Sequence, residues 1–149
     1  MATSDSREVV IEASPAEILD VIADVESAPE WSSQHQGAEV LERDADGRPG
    51  KVRLKLKTMG ISDEQVVQYS WTDSSASWTL LESSQLKTQS ASYTLTPPDG
   101  GEKTKVRFEI TVDPAVPIPG GFVLKRAMKG GLEAATDGLR KQVLKVKKR

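Results

Sequence analysis

The C-terminal segment constrains the fold of this chain more than any other part. After a turn-rich stretch at residues 113–121, apolar side chains recur at helical spacing to the end of the chain. They are Phe122, Leu124, Met128, Leu132, Ala135, Leu139, Val143 and Val146. A long amphipathic helix that follows a block of strands needs an apolar surface on which to lie, and a curved sheet provides one. We therefore expect a container built from one long helix and a strongly curved antiparallel sheet.

A strand and a short helix are expected near the N-terminus. Residues 7–12 have the composition of a strand. The segment Ser14-Pro15-Ala16-Glu17 has the features of a helix start, with a serine cap, a proline at the first helical position and a glutamate three residues after the cap. An apolar helical face follows over residues 18–25, and Pro29 ends the helix and begins another short turn at Trp31.

From residue 38 the hydrophobic period changes to two. The clearest case is Lys51–Thr58, where Val52, Leu54 and Leu56 alternate with basic residues. Short turn-rich loops separate the apolar runs, which predicts sequential antiparallel pairing. The predicted strands cover residues 40–43, 51–58, 62–72, 77–82, 86–96 and 103–112. With the helices at either end, this order predicts an α+β fold.

Length and composition indicate one globular domain. The chain has 149 residues, and we expect a single domain over residues 1–149 with an ordered core at about 5–147. The absence of cysteine excludes disulfides and thiolate metal sites and is compatible with a reducing cytoplasm. No apolar run approaches the roughly 20 residues of a membrane span, and the polar N-terminus does not have the pattern of a secretory signal. We therefore expect a cytoplasmic protein.

The charge is distributed unevenly. Residues 119–149 contain nine Lys/Arg and two Asp/Glu, a net charge of +7, whereas the remaining residues have a net charge of −9. One interpretation is a solvated helix face whose cations suit the negative end of the helix dipole. The other is an anionic partner. Nucleic acid is not expected because aromatic residues do not interleave with the basic ones, but a weak peripheral contact with an anionic membrane stays open. The sequence does not indicate an oligomeric state.

The element order and four segments resemble the START-like (SRPBCC) superfamily, in particular its bacterial polyketide cyclase/dehydrase and coenzyme Q-binding branch. The segments are residues 25–31, 76–80, 92–97 and 116–120. The resemblance implies a helix-grip fold: a curved antiparallel sheet of six to seven strands wrapped around a long C-terminal helix, with two short helices after the first strand. It also implies a cavity between sheet and helix. Because members bind very different apolar molecules, the resemblance predicts the fold better than the function.

Recognisable catalytic and metal-binding motifs are missing. The single histidine, His35, and the lack of cysteine leave no multi-histidine or thiolate metal site, so neither a metal nor a cofactor is expected. We interpret His35 as a loop residue, with a role in proton transfer at a cavity mouth as the alternative. No serine occupies a nucleophile-elbow pattern and no glycine loop suits a phosphate. Catalytic residues are therefore unknown.

Large side chains predicted to face inward, from the sheet or from the helical elements opposite it, are the candidate ligand-binding residues. They are Trp31, Val67, Tyr69, Trp71, Trp78, Leu80, Tyr93, Leu95, Phe108, Ile110, Phe122, Met128 and Leu132. Each could equally be an ordinary core residue, stabilising the fold by roughly 1.5–3 kcal/mol when buried. Trp31 could plug the helix against the sheet or act as a gate. The register of residues 76–82 is the least certain, since a shift by one would replace Trp78 and Leu80 with Ser77 and Thr79.

The Gly130-Gly131 pair interrupts the C-terminal helix pattern. Each glycine in a helix interior costs about 1 kcal/mol relative to alanine. The pair can mark a kink or a close packing contact, or it can leave room for a ligand.

Three functions remain open from the sequence. The first is a carrier or sequestering module for a small hydrophobic molecule such as a lipid, isoprenoid or polyketide-like compound. The second is a cyclase or dehydratase acting in the same cavity, with Tyr69, Tyr93, Glu82 or His35 as candidate proton-transfer residues. The third is an interaction protein whose cavity is vestigial. A buried ionisable residue with a shifted pKa at the cavity floor would favour the enzyme.

Overall fold

The computed structural model describes residues 3–58, 61–84, 86–97, 103–114 and 121–147. One strand and a group of short helices precede six further strands and a long C-terminal helix. The elements are β1 (Thr3–Ile11), α1 (Pro15–Ala23), a 3-10 turn (Val25–Ser27), α2 (Ala28–Trp31), β2 (His35–Arg43), β3 (Pro49–Thr58), β4 (Ile61–Thr72), β5 (Ser75–Glu82), β6 (Leu86–Thr96), β7 (Thr104–Pro114), α3 (Gly121–Glu133), a π-helical turn (Ala134–Gly138) and α4 (Leu139–Lys147).

All seven strands form one antiparallel sheet in the order β1-β7-β6-β5-β4-β3-β2. Strands β2 to β7 are therefore paired sequentially, and β1 adds to β7 at the other edge. The sheet curves around the C-terminal helix, and β-bulges interrupt the register in β2, β5 and β6. This architecture confirms the predicted helix-grip fold and the predicted sequential pairing.

Helix α1 begins at the predicted capping box. The Ser14 hydroxyl accepts a hydrogen bond from the Glu17 amide, and the Glu17 carboxylate accepts one from the Ser14 amide. These hydrogen bonds lower the pKa of Glu17 below its ordinary value. The apolar face of α1 is buried against the sheet, so the capping box fixes where this face begins.

The C-terminal helix contains a π-helical turn that the sequence pattern did not predict. An extra residue in the turn disrupts the regular ladder of hydrogen bonds. Two hydroxyl groups compensate: Tyr93 donates to the carbonyl oxygen of Ala135 at 2.9 Å, and Thr136 donates to that of Leu132 at 2.7 Å. The turn keeps Leu132, Ala135 and Leu139 on the buried side of the helix.

Ion pairs hold one side of this helix against the edge strand β1 and the residue after it. Arg7 contacts Asp137 at 2.8 Å, and Arg140 donates to both carboxylate oxygens of Glu12. The Arg140 hydrogen bonds keep the pKa of Glu12 below its ordinary value. Part of the basic charge of the C-terminal segment is thus neutralised by acidic residues elsewhere in the chain.

The other side of the helix packs closely on the segment around α2. A Cβ atom at Gly138 would collide with the backbone carbonyl oxygen of Trp31, so only glycine allows this approach. A Cβ atom at Gly130 or Gly131 would lie 3.2 Å from the side chain of Gln34. The glycine pair therefore lies against the side chain of Gln34, the residue before β2.

Several element boundaries differ from the sequence-based ones. Strand β2 begins at His35 rather than at residue 40, so His35 is a strand residue and not a loop residue. Strand β1 covers Thr3–Ile11 rather than residues 7–12, because its pairing with β7 continues as far as Thr3. Val146 is 40% exposed and does not belong to the buried helix face. Among the described residues, no helix combines the length and apolar composition needed to cross a membrane.

Candidate ligand-binding site

The face of the sheet that contacts the helix is set by strand register. Tyr69 of β4 lies opposite Trp78 of β5, and Tyr93 of β6 lies opposite Phe108 of β7. Directly opposed residues in antiparallel strands share a face. Leu80 lies opposite Val67, so the uncertain register of residues 76–82 is resolved with Trp78 and Leu80 on the inner face.

Aromatic rings form a continuous layer on this inner face. Tyr69 stacks between Trp71 and Trp78, with ring centroids 5.4 and 5.0 Å away. Trp78 also contacts Tyr93 and Phe108 at 5.9 and 5.8 Å, and these two rings lie 4.8 Å apart. Offset and tilted contacts at these distances are the favourable arrangements for aromatic pairs. The layer runs across four neighbouring strands and makes the inner face of the sheet apolar over this width.

Most of the candidate residues come together in two apolar clusters. The cluster under the C-terminal helix contains Trp31, Tyr93, Leu95, Phe108, Ile110 and Leu132. The second cluster contains Val67, Tyr69 and Leu80. Trp71 and Trp78 pack against both and join them. Met128 is buried on the helix but belongs to neither cluster, and the side chain of Phe122 lies outside the described part of the structure.

Burial is incomplete on part of the inner face. Trp78, Leu80 and Ile110 are only partly buried although their strands β5 and β7 have a neighbour on each side. On the same strands, Ala76 and Val106 are fully buried. Partial exposure in the middle of a sheet face indicates that the facing helix does not cover these side chains completely. Apolar surface of this kind can receive an apolar ligand.

Two tyrosine hydroxyls of the aromatic layer have different environments. The Tyr93 hydroxyl donates to the π-helical turn, whereas the Tyr69 hydroxyl has no hydrogen-bond partner within the described ranges. Burial raises the pKa of both groups far above the ordinary value for tyrosine, so both are neutral at physiological pH. Either can take part in hydrogen bonds, but neither is poised to act as a base.

The region around α2 contains two further polar side chains. His35 is partly buried, and its Nδ1 lies 2.7 Å from the Ser32 hydroxyl. Burial lowers the pKa of His35 from 6.5 to about 4, so the ring is neutral at pH 7. The indole nitrogen of Trp31 is buried and has no hydrogen-bond partner.

Sequence reasoning missed two polar residues on the inner face of β4. Asp63 and Gln65 precede Val67 at intervals of two and therefore point to the same side of the strand. Gln65 is almost completely buried. Extending the alternation of Val67, Tyr69 and Trp71 backwards along the strand would have placed both residues there.

A depression lies at the surface beside Trp71, at the edge of the aromatic layer. It has a volume of about 440 Å³ and is formed by the end of α1, the 3-10 turn and the loop between β2 and β3. Its lining is mostly charged, and it includes Asp20, Asp24, Glu26, Arg43, Asp46 and Arg48. Arg48 forms an ion pair with Asp20, and its guanidinium carbon lies 5.2 Å from the centroid of the Trp71 ring. Within the described ranges, no three acidic or histidine side chains approach one another as metal ligands would.

Comparison with known proteins supports both fold and family. A family model described as polyketide cyclase/dehydrase and lipid transport matches residues 3–144. Among curated proteins, none matches the sequence significantly.

Solved structures share the fold over almost the whole chain. A START superfamily protein from Mycobacterium smegmatis superposes with a TM-score of 0.84 at 23% identity, covering 96% of this chain and 98% of that one. The Zhui aromatase/cyclase from a Streptomyces species gives 0.81 at 14% identity, with coverages of 96% and 94%. A Thermus thermophilus protein gives 0.78 at 22% identity, with coverages of 97% and 99%. At such identities the likeness establishes a common fold and does not transfer an activity.

Proposed function

Because the chain belongs to the polyketide cyclase/dehydrase and lipid transport family, we propose that it binds a small hydrophobic molecule between the sheet and the C-terminal helix. The ligand is a lipid, an isoprenoid or a polyketide-like compound, and the protein acts as its carrier or sequestering module. The binding residues are the inner-face side chains of the sheet together with Trp31, Phe122, Met128 and Leu132 on the helical side.

The observation that carries this proposal is the incompletely covered aromatic layer. Trp78, Leu80 and Ile110 keep accessible surface in the middle of the sheet, next to the buried rings of Tyr93 and Phe108. Covering apolar surface gains roughly 25 cal/mol per Å², so an apolar molecule seated here would be stabilised by the same effect as the core. Binding of this kind requires no catalytic group.

A cyclase or dehydratase receives weaker support from the same residues. Of the candidate proton-transfer groups, the Tyr93 hydroxyl already donates a hydrogen bond to the π-helical turn, and Glu82 is exposed. His35 has a shifted pKa, but its ring contacts the neighbouring Ser32 at the start of β2. A carrier role requires none of these groups to change its protonation state.

The proposal is tested by the binding of Nile red to wild type and to Trp78→Ala. Loss of one central aromatic contact is expected to weaken Nile red binding about tenfold. Leu81→Ala is the matched control, because Leu81 lies on the same strand, is 49% exposed and is outside both apolar clusters. The proposal would be contradicted if wild type failed to bind the dye, or if Trp78→Ala lost stability while its dye affinity equalled that of wild type.

A further inference from the structure

Two buried residues on the inner face of β4 carry polar groups that make no hydrogen bond within the described ranges, and the group on Gln65 is itself enclosed. Gln65 is 3% exposed, and its side-chain carbonyl oxygen Oε1 has no partner. Tyr69 is 9% exposed, and its hydroxyl has no partner within the described ranges. Buried polar atoms are almost always hydrogen-bonded in folded proteins, so the enclosed and unpaired Gln65 Oε1 calls for an explanation.

The orientation of the Gln65 amide is fixed by Asp63. Gln65 Nε2 donates to Asp63 Oδ2 at 2.8 Å. A carboxylate only accepts hydrogen bonds, so the NH₂ group must face Asp63 and Oε1 must point away from it. The unpaired acceptor is thus held in one direction rather than left free to rotate.

Asp63 is itself held in place by the loop after β5. Its carboxylate accepts hydrogen bonds from the Ser83 hydroxyl at 2.7 Å, the Ser84 hydroxyl at 2.8 Å and the Ser84 amide at 3.0 Å. Burial alone would raise the pKa of Asp63, but the hydrogen bonds from Ser83, Gln65 and Ser84 together hold it below its ordinary value. The carboxylate is therefore ionised at neutral pH and places a negative charge beside Gln65.

Tyr69 is held equally firmly. Its ring is stacked between Trp71 and Trp78, with interplanar angles of 17° and 21°. This packing fixes the direction of the hydroxyl. Tyr69 and Gln65 are four residues apart on one face of a strand, which separates their backbones by about 13 Å. A neutral hydroxyl donor and an amide acceptor thus flank Val67 along one side of the aromatic layer.

We propose that β4 selects a neutral hydrophobic ligand that carries a hydroxyl group, with Gln65 Oε1 accepting a hydrogen bond from that hydroxyl and the Tyr69 hydroxyl donating to a ligand oxygen. The inference rests on the proposed function and narrows the ligand class. Anionic ligands such as carboxylates are disfavoured, because an ionised Asp63 lies beside the acceptor and because Oε1 needs a donor. A pure hydrocarbon would leave the enclosed Gln65 Oε1 unpaired.

Three aromatic probes of similar size test the inference: naphthol, methoxynaphthalene and naphthoate. Naphthol can donate to Gln65, methoxynaphthalene can only accept, and naphthoate is an anion. Isothermal titration calorimetry on the wild-type chain should give naphthol the highest affinity, about tenfold above methoxynaphthalene, and naphthoate the lowest.

Two substitutions separate the two contacts. Gln65→Met should abolish the preference for naphthol over methoxynaphthalene. Tyr69→Phe should keep the preference for naphthol, because backbones about 13 Å apart prevent the single oxygen of either probe from reaching both Gln65 and Tyr69. Gln68→Met is the matched control: Gln68 is a glutamine on the same strand but on the exposed outer face, so its loss should leave the preference intact.

The outcomes distinguish this inference from the function on which it rests. If none of the three probes binds wild type, the proposed hydrophobic site is wrong, and the inference fails with it. If the probes bind but wild type does not prefer naphthol, or if Gln65→Met keeps the preference, the polar selection is refuted while the hydrophobic site stands. The wild-type affinities for naphthol and methoxynaphthalene test the preference even if Gln65→Met does not fold.

Discussion

The close approach of Trp31 to the C-terminal helix predicts opposite effects for two glycine-to-alanine substitutions in that helix. At Gly138 a new Cβ atom would collide with the backbone carbonyl oxygen of Trp31, which cannot rotate away. At Gly130 it would lie 3.2 Å from Nε2 of Gln34, at the end of a flexible side chain. Neither glycine has a positive φ, so alanine fits the backbone at both positions.

The expected difference in the free energy of unfolding follows from comparing the two variants. Gly→Ala favours a helix by up to about 1 kcal/mol, partly by reducing the entropy of the unfolded chain. This gain applies to both positions and largely cancels in the comparison. What remains is the cost of forcing α2 away from the helix, about 1–3 kcal/mol for an overpacked contact. We expect Gly138→Ala to be about 2 kcal/mol less stable than Gly130→Ala, a difference of roughly 4–8 °C in melting temperature.

Urea denaturation followed by circular dichroism measures both free energies of unfolding. Gly130→Ala is expected to be as stable as wild type or more stable, and Gly138→Ala less stable. The reasoning would be refuted if Gly138→Ala equalled or exceeded Gly130→Ala in stability, because the Trp31 carbonyl would then not press on the helix. Equal slopes of the unfolding free energy against urea concentration would show that the difference arises in the folded state.

Two further predictions concern buried polar groups. Tyr93→Phe should lower the unfolding free energy by about 1–2 kcal/mol, because the carbonyl oxygen of Ala135 loses its partner. Tyr69→Phe should change the unfolding free energy by less than about 0.5 kcal/mol. Similar losses in both variants would contradict a hydrogen bond made by the Tyr93 hydroxyl and not by that of Tyr69. His35 keeps a pKa of about 4 in the folded protein and 6.5 when exposed, so between these values the unfolded chain binds a proton that the folded chain does not. The free energy of unfolding should therefore fall as pH drops through this window, by about 2 kcal/mol near pH 5. In His35→Gln the free energy of unfolding should fall less steeply over the same range. Parallel pH profiles for wild type and variant would contradict a neutral His35 in the folded protein.

Local sequence patterns were sufficient for most of the fold. The capping box at Ser14 was predicted because it depends on residues within one helical turn. The strands were predicted because one face of the sheet is wet and the other is buried, so apolar residues alternate along β3 and β7. The inner-face position of Trp78 also followed from alternation once the register of β5 with β4 was known.

Features that depend on distant contacts could not be predicted. The π-helical turn is supported by the hydroxyl of Tyr93, more than forty residues earlier in the sequence. His35 is polar and follows a turn, which suggested a loop, yet the pairing of β2 with β3 begins there and the fold buries its ring. The close approach at Gly138 is likewise set by a residue of α2.

The candidate site was predictable in part. Its apolar residues were found because large side chains recur on one face of each strand. Gln65 and Asp63 were not recognised as inner-face residues, because polar residues on a strand usually indicate its solvent-exposed face. Their arrangement depends on the serine loop after β5, where Ser83 and Ser84 donate to the Asp63 carboxylate, which in turn accepts from Gln65.

The central claim is that the space between the sheet and the C-terminal helix holds a small hydrophobic molecule. Native mass spectrometry of the protein purified from its own source, followed by denaturation to release what it carries, tests this most directly. We predict one discrete apolar compound at close to one molecule per chain, and the further inference requires that compound to be neutral and to carry a hydroxyl group. A protein that is empty when isolated and that also fails to take up Nile red or naphthol would contradict the account.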